Sequence, residues 1–267
     1  MRYTPLFAAM LLLGLATPAH ADHAWGNYHW ARTANPFTLR VVDSVTASWD
    51  SYLDTTIADW SISNVLDLTK EQGASGSTDR KRCNPITGKI RACNHTYGKN
   101  GWLGIASIWT NGDHITAATT KLNDTYFGTA AYNTPAWKNL VTCQEVGHGF
   151  GLGHQDEAFT NPNLNTCMDY TNSPESNQHP NAHDYEELES IYAHLDITTT
   201  VAATTAATAR SEEPVSDDPA TWGREVRRSR DGRASTYEKQ LLNGSTVITH
   251  VFWIEDARRA PGTHDHE

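Results

Sequence analysis

Apolar side chains recur three and four positions apart at Val45, Trp49, Leu53, Ile57 and Trp60, and this spacing predicts a helix over about 44–59 with one core-facing stripe. A strand is expected just before it, at 39–42. Further short runs rich in β-branched and aromatic residues predict strands at 65–68, 89–92, 102–109 and 115–122, separated by Gly, Asn and Asp clusters. The turn Asn111-Gly112-Asp113 between the last two predicts a hairpin. Thr134-Pro135 supplies an N-cap and a first-turn proline, so 136–150 is expected to be helical. A second stripe, Tyr185, Leu188, Ile191, Tyr192 and Leu195, predicts a last helix over 184–195 with Glu186 and Glu187 near its beginning. The pattern defines an α+β domain.

Beyond Asp196 the pattern breaks. Residues 198–209 are almost all Thr and Ala, and Ser211-Glu212-Glu213-Pro214 and Asp217-Asp218-Pro219 follow, so 197–220 reads as a linker. Two turn signals, Asp231-Gly232 and Asn243-Gly244, and the apolar run 247–254 predict a small β meander over 221–267. The arginines of this tail, Arg224, Arg227, Arg228 and Arg230, suit solvated strand edges. At the other end, Arg2, the apolar run 6–16 and Ala19-His20-Ala21 have the three zones of a secretory signal peptide over 1–21. That run is well short of the roughly 20 residues of a membrane span. The expected product is a secreted, extracellular chain whose main domain covers 22–196, with no later membrane span.

Export changes how the four cysteines are read. In an oxidising compartment an even set favours two disulfides, and three pairings are possible. Cys83 with Cys93 closes a short loop, and Cys143 with Cys167 flanks the motif region and its downstream turn; these are the favoured pairs. No Cys-x-x-Cys is present to suggest a cysteine metal site. A formal net charge of −10 argues against a nucleic-acid surface.

The chemistry concentrates in residues 144–154, Gln-Glu-Val-Gly-His-Gly-Phe-Gly-Leu-Gly-His. This is the long zinc-protease signature His-Glu-x-x-His-x-x-Gly-x-x-His with Gln144 in place of the first His. Positions 144 and 148 leave the same helix face, so Gln144 and His148 can converge on one ion. Gly151 suits a sharp reversal that would bring His154 to the same place. Glu145 beside them can take a proton from a zinc-bound water and pass it to a leaving amine. Three ligands, Gln144, His148 and His154, leave room for water at Zn²⁺.

At these residues the chain resembles the metzincin zinc peptidases, most closely the secreted matrixin-like group. Cys167-Met168-Asp169-Tyr170 looks like their methionine turn. The resemblance covers about 39–196 and implies a twisted mixed sheet with two long helices, an active-site cleft and a lower part ending in a helix beneath the metal. It implies a metalloendopeptidase, here expected to be a monomer acting on peptide or protein substrates. Tyr170 would cap the ion or stabilise the oxyanion, and Met168 would form a soft hydrophobic floor. Substrate would lie extended along an exposed strand, with 115–122 the candidate. The long pro-segment with a cysteine switch found in many matrixins is not expected, since few residues separate Ala21 from the first strand.

Gln144 leaves three outcomes open. An amide oxygen is a harder, weaker zinc donor than imidazole, so Gln144 binds weakly and the enzyme works, or another group such as Tyr170 or His114 replaces it, or the fold has become an inactive metal-binding or adhesion module. Asp156, Asn161, Asn163 and Asn165 also offer oxygens for Ca²⁺, although their spacing matches no EF-hand loop.

Overall fold

The computed structural model describes residues 23–201 and 213–255. The expected signal segment and the greater part of the Thr/Ala run lie outside them. Among the described residues nine strands form one mixed sheet. In chain order the elements are β1 (His29–Trp30), β2 (Phe37–Ser44), α1 (Asp50–Trp60), β3 (Leu66–Gln72), α2 (Ser77–Arg82), β4 (Lys89–His95), β5 (Trp102–Asn111), β6 (His114–Asn123), α3 (Asp124–Phe127), α4 (Pro135–His148), α5 (Ala182–Ile191), β7 (Arg224–Arg228), β8 (Ala234–Gln240) and β9 (Thr246–Trp253). The sheet order is β3-β2-β4-β6-β5-β9-β8-β7, with β1 pairing parallel to the start of β6. Strands β2, β3, β4 and β6 run parallel, and β5 turns antiparallel to β6 through the expected hairpin. This is an α+β fold.

Leu53 and Trp60 on α1 are buried against α4, where the Trp60 indole donates to the Cys143 carbonyl oxygen at 3.1 Å. Helix α1 starts six residues later than the spacing predicts. Its stripe residues Val45 and Trp49 are buried, but the backbone before Asp50 turns because Val45 N–H and Thr46 N–H donate to the side chains of Asp43 and Asn94. Side-chain acceptors of this kind compete with helical hydrogen bonds. The short helices α2 and α3, each six residues or fewer, carry no periodic stripe that a sequence could display.

Both favoured disulfides are present: Cys83 is bonded to Cys93, and Cys143 on α4 to Cys167. Two expectations are corrected by the pairing of strands. The stretch 115–122 was expected to offer substrate an exposed edge, but β6 is hydrogen-bonded to β4 on one side and β5 on the other. The C-terminal strands do not stand apart from the main sheet: β9 pairs antiparallel with β5 from Trp102↔Trp253 to Thr110↔Thr246. An apolar run with alternating faces can join any unpaired strand edge, and the edge of β5 is where this one is satisfied. Among the described residues no helix is long and apolar enough to cross a membrane.

Candidate metal centre

Helix α4 begins as its sequence dictates. Thr134 accepts from Trp137 N–H at 3.2 Å and Pro135 occupies the first turn. The helix ends at His148, and the chain reverses at Gly151, whose φ of +92° only glycine adopts without strain. The reversal is held by the N-terminal segment: Trp25 N–H donates to the Gly151 carbonyl at 2.6 Å, and Ala24 bridges Leu152. It returns His154 to His148, with ring centroids 4.6 Å apart.

A third imidazole joins them. His250, on β9 opposite Ala106 of β5, lies 4.1 Å from the His148 ring and 4.7 Å from the His154 ring, centroid to centroid. One ligand atom from each of the three histidines falls within 4.8 Å of the others. Sequence reasoning missed His250. The available signal was its place between Ile248 and Phe252, every second residue of a strand, which puts the three side chains on one face. Nothing local indicates that this side meets α4.

The ring nitrogens are sorted by their partners. His148 Nδ1 donates to the Leu152 carbonyl oxygen at 2.8 Å, which leaves Nε2 as a bare lone pair. His154 Nδ1 lies 3.4 Å from a Glu157 carboxylate oxygen. The Nε2 atoms of His148 and His154 are both buried without a protein partner, as are Gln144 Oε1 and Glu145 Oε1. Leaving such a group unsatisfied costs about 1–3 kcal/mol. The two bare imidazole nitrogens, on rings that also face His250, form a set of donors suited to a bound cation.

Gln144 is accounted for in part: its amide nitrogen donates to the Cys167 carbonyl oxygen at 2.9 Å, which ties α4 to the segment before Met168. His114, considered as a substitute ligand, groups instead with His29 and Asp196. Tyr170 is buried against the His154 ring at 4.3 Å and stacks on Phe159. Its hydroxyl hydrogen-bonds His250 Nε2 at 2.7 Å, while His250 Nδ1 faces Glu145 Oε2 at 3.4 Å. Glu145 can press this close to the sheet because β5 has glycine there: a Cβ on Gly104 would lie 2.7 Å from Glu145 Oε1. Of the residues considered for Ca²⁺, Asp156 accepts from Ala158 N–H and from the Asn161 amide nitrogen, and the Asn163 amide nitrogen donates to Ser173 and Ser176.

Burial sets the protonation states. It pushes Glu145 up to about 8, against a smaller opposing pull from His148. It lowers His148 to about 3, helped by His250, and lowers His250 to about 3, helped by Arg227. His154 is driven down by burial and by the two neighbouring imidazoles. At neutral pH the metal-free imidazoles are therefore uncharged, the state a metal requires. A histidine depressed on folding contributes stability that is present above its unfolded value of 6.5 and is lost as pH falls toward 3. Glu145, raised on folding, contributes stability that is lost as pH rises through about 8. The metal-free protein is thus expected to melt at lower temperature at about pH 5 and about pH 9 than at about pH 7. Calorimetry in the presence of a chelator checks this, and a flat profile would contradict the buried neutral cluster.

A cavity of about 270 Å³ opens on the cluster between residues 23–26 and the strands β7 and β8, with Val226, Arg227 and Thr236 on its far wall.

No family model matches the chain, and no curated protein matches it. Among solved structures it is similar to high choriolytic enzyme 1, a hatching enzyme zinc-protease from the medaka fish Oryzias latipes. The TM-score is 0.36 with 9% identity, over 65% of this chain and 98% of the other. A likeness of this size leaves the functional reading to the residues themselves.

Proposed function

We propose that the chain is an exported zinc metalloendopeptidase whose metal is held by His148, His154 and His250, with Glu145 as the proton-transferring base. The observation that carries this is the pair of buried, bare Nε2 atoms of His148 and His154 beside a third imidazole and a carboxyl oxygen that also lacks a partner. In this reading the imidazole of His250 supplies the third ligand, while the Gln144 amide nitrogen braces the Cys167 carbonyl. Three histidines with one open position are a ligand set suited to hydrolysis. A bound Zn²⁺ would polarise the scissile carbonyl and lower the pKa of water in the site.

The residues of the chain supply the remaining work. Glu145 would accept the proton of the attacking water and return it to the leaving amine; it would be ionised by the positive charge of a bound metal, since burial alone keeps the metal-free carboxyl protonated to about 8. The Tyr170 hydroxyl, which meets His250 Nε2 in the resting structure, would donate to a developing oxyanion once released from that bond. Met168, fully buried and facing Gly147 of α4, is the floor beneath the ligands. Because β9 pairs along β5 and carries His250, a peptide would enter instead through the cavity between residues 23–26 and strands β7 and β8.

One observation favours a second reading. His250 engages Glu145 and Tyr170, the two groups assigned to the reaction, and β9 covers β5. This is the arrangement of a metal-binding module that does not turn over.

The test is hydrolysis of denatured protein and quenched peptides by the full chain, with and without chelator, for the wild type and His250→Ala. Under the proposal the wild type cleaves in a chelator-sensitive way, and His250→Ala loses zinc and activity together. A chelator-insensitive, inactive wild type supports the non-catalytic module. A His250→Ala variant that keeps its zinc and cleaves faster makes His250 a plug and returns the third position to Gln144.

A further inference from the structure

A second group of histidines lies at the opposite end of the N-terminal segment. His29 on β1 and His114 on β6 are direct cross-strand partners, with ring centroids 5.0 Å apart. Asp196, beyond the end of α5, places Oδ1 3.2 Å from His114 Nε2 and 3.7 Å from His29 Nε2. His194 brings its Nε2 to 3.2 Å from His29 Nε2 and 3.8 Å from Asp196 Oδ1. Three imidazole nitrogens thus converge on one carboxylate oxygen, from three chain segments about 80 residues or more apart.

We propose that His29, His114, His194 and Asp196 form a second zinc site, structural rather than catalytic. Four of the separations among these atoms fit a coordination sphere. Tetrahedral zinc with bonds of about 2.0–2.1 Å sets its ligand atoms roughly 3.3 Å apart, and the four separations above run from 3.2 to 3.8 Å.

The groups behind the ligands are also in place. His29 Nδ1 donates to the Asn27 carbonyl oxygen at 2.7 Å, which fixes the tautomer and presents Nε2 as a lone pair. The far oxygen of Asp196, Oδ2, accepts from the Arg32 guanidinium at 2.9 Å and the Arg32 backbone N–H at 3.2 Å, so Oδ1 is turned toward the imidazoles. A set of four protein ligands leaves no open position, which is the mark of a structural site. A cavity of about 420 Å³ beside His29 and His194 gives an ion its route in.

The site would fasten β1 to the β5–β6 hairpin and to the end of α5. The same N-terminal segment runs on through His23 and Ala24, which line the cavity over His148 and His154. Zinc at the second site would therefore hold one wall of the first.

Full-length protein, stripped with chelator, reloaded with Zn²⁺ and gel-filtered, is assayed for zinc by mass spectrometry and for Tm by calorimetry. The side chains of His114 and His194 are 39% and 53% exposed, so the double variant His114→Ala/His194→Ala leaves the core packed. The expected content is two zinc ions per wild-type chain and one in this variant, with part of the zinc-dependent rise in Tm lost. A His148→Ala/His154→Ala variant is expected to keep one. If the wild type and His114→Ala/His194→Ala bind equal amounts of zinc with equal rises in Tm, the second site is overturned. If the wild type and His148→Ala/His154→Ala both bind one, the second site stands and the peptidase reading fails.

Discussion

Glu145→Gln is expected to lower peptide hydrolysis by about 10²–10⁴-fold, the usual contribution of a positioned acid–base group, while zinc content and Tm stay near those of the wild type. The substitution is nearly isosteric, and Glu145 lends itself to it. Its Oε1 has no protein partner, its Oε2 meets only His250 at 3.4 Å, and it is not one of the three histidines assigned to the metal. Burial already keeps its carboxyl protonated to about pH 8 in the metal-free protein, so a neutral amide costs the resting fold little. What the amide cannot do is accept and release a proton. Cleavage measured beside zinc content in the same preparation separates chemistry from metal loss. Cleavage that survives at the wild-type rate would remove Glu145 from the mechanism.

Gly151→Ala is expected to be the most damaging single substitution outside the ligands. At φ +92° an L-residue is strained, and the added Cβ would collide with the Tyr28 carbonyl oxygen, a backbone atom that cannot swing aside. Relief requires moving the N-terminal segment off the turn and breaking the hydrogen bond from Trp25 N–H to the Gly151 carbonyl. The cost falls in the exceptional class above about 4 kcal/mol, or a fall in Tm of about 10 °C or more for a domain of this size. It should reduce zinc affinity too, since His148 and His154 are brought together by this turn. A variant with unchanged Tm would show that residues 23–28 do not pack on the reversal.

The ends of α4 were legible in the sequence because the controlling chemistry is local. Thr134 caps, Pro135 starts and Gly151 reverses the chain, and each acts within a few residues of itself. The same holds for the hairpin at Asn111-Gly112-Asp113 and for the buried stripe of α1. Where α1 begins was not legible, because the competing acceptor Asn94 comes from β4. The edge strand was misjudged for a related reason: alternation within 115–122 says which face is buried, and it is silent about how many neighbours a strand has.

The candidate site divides along the same line. The sequence by itself determined that Glu145, His148 and His154 share one region of space, because helical pitch and a glycine turn fix their relation within eleven residues. Only the tertiary structure decided that the Gln144 amide nitrogen bonds Cys167, that His250 joins His148 and His154 from more than 90 residues away, and that His29, His114, His194 and Asp196 meet. Pairing of β9 with β5 and of β1 with β6 makes those meetings. Strand pairing links residues without regard to their separation along the chain, and no local pattern encodes which partner a strand will take.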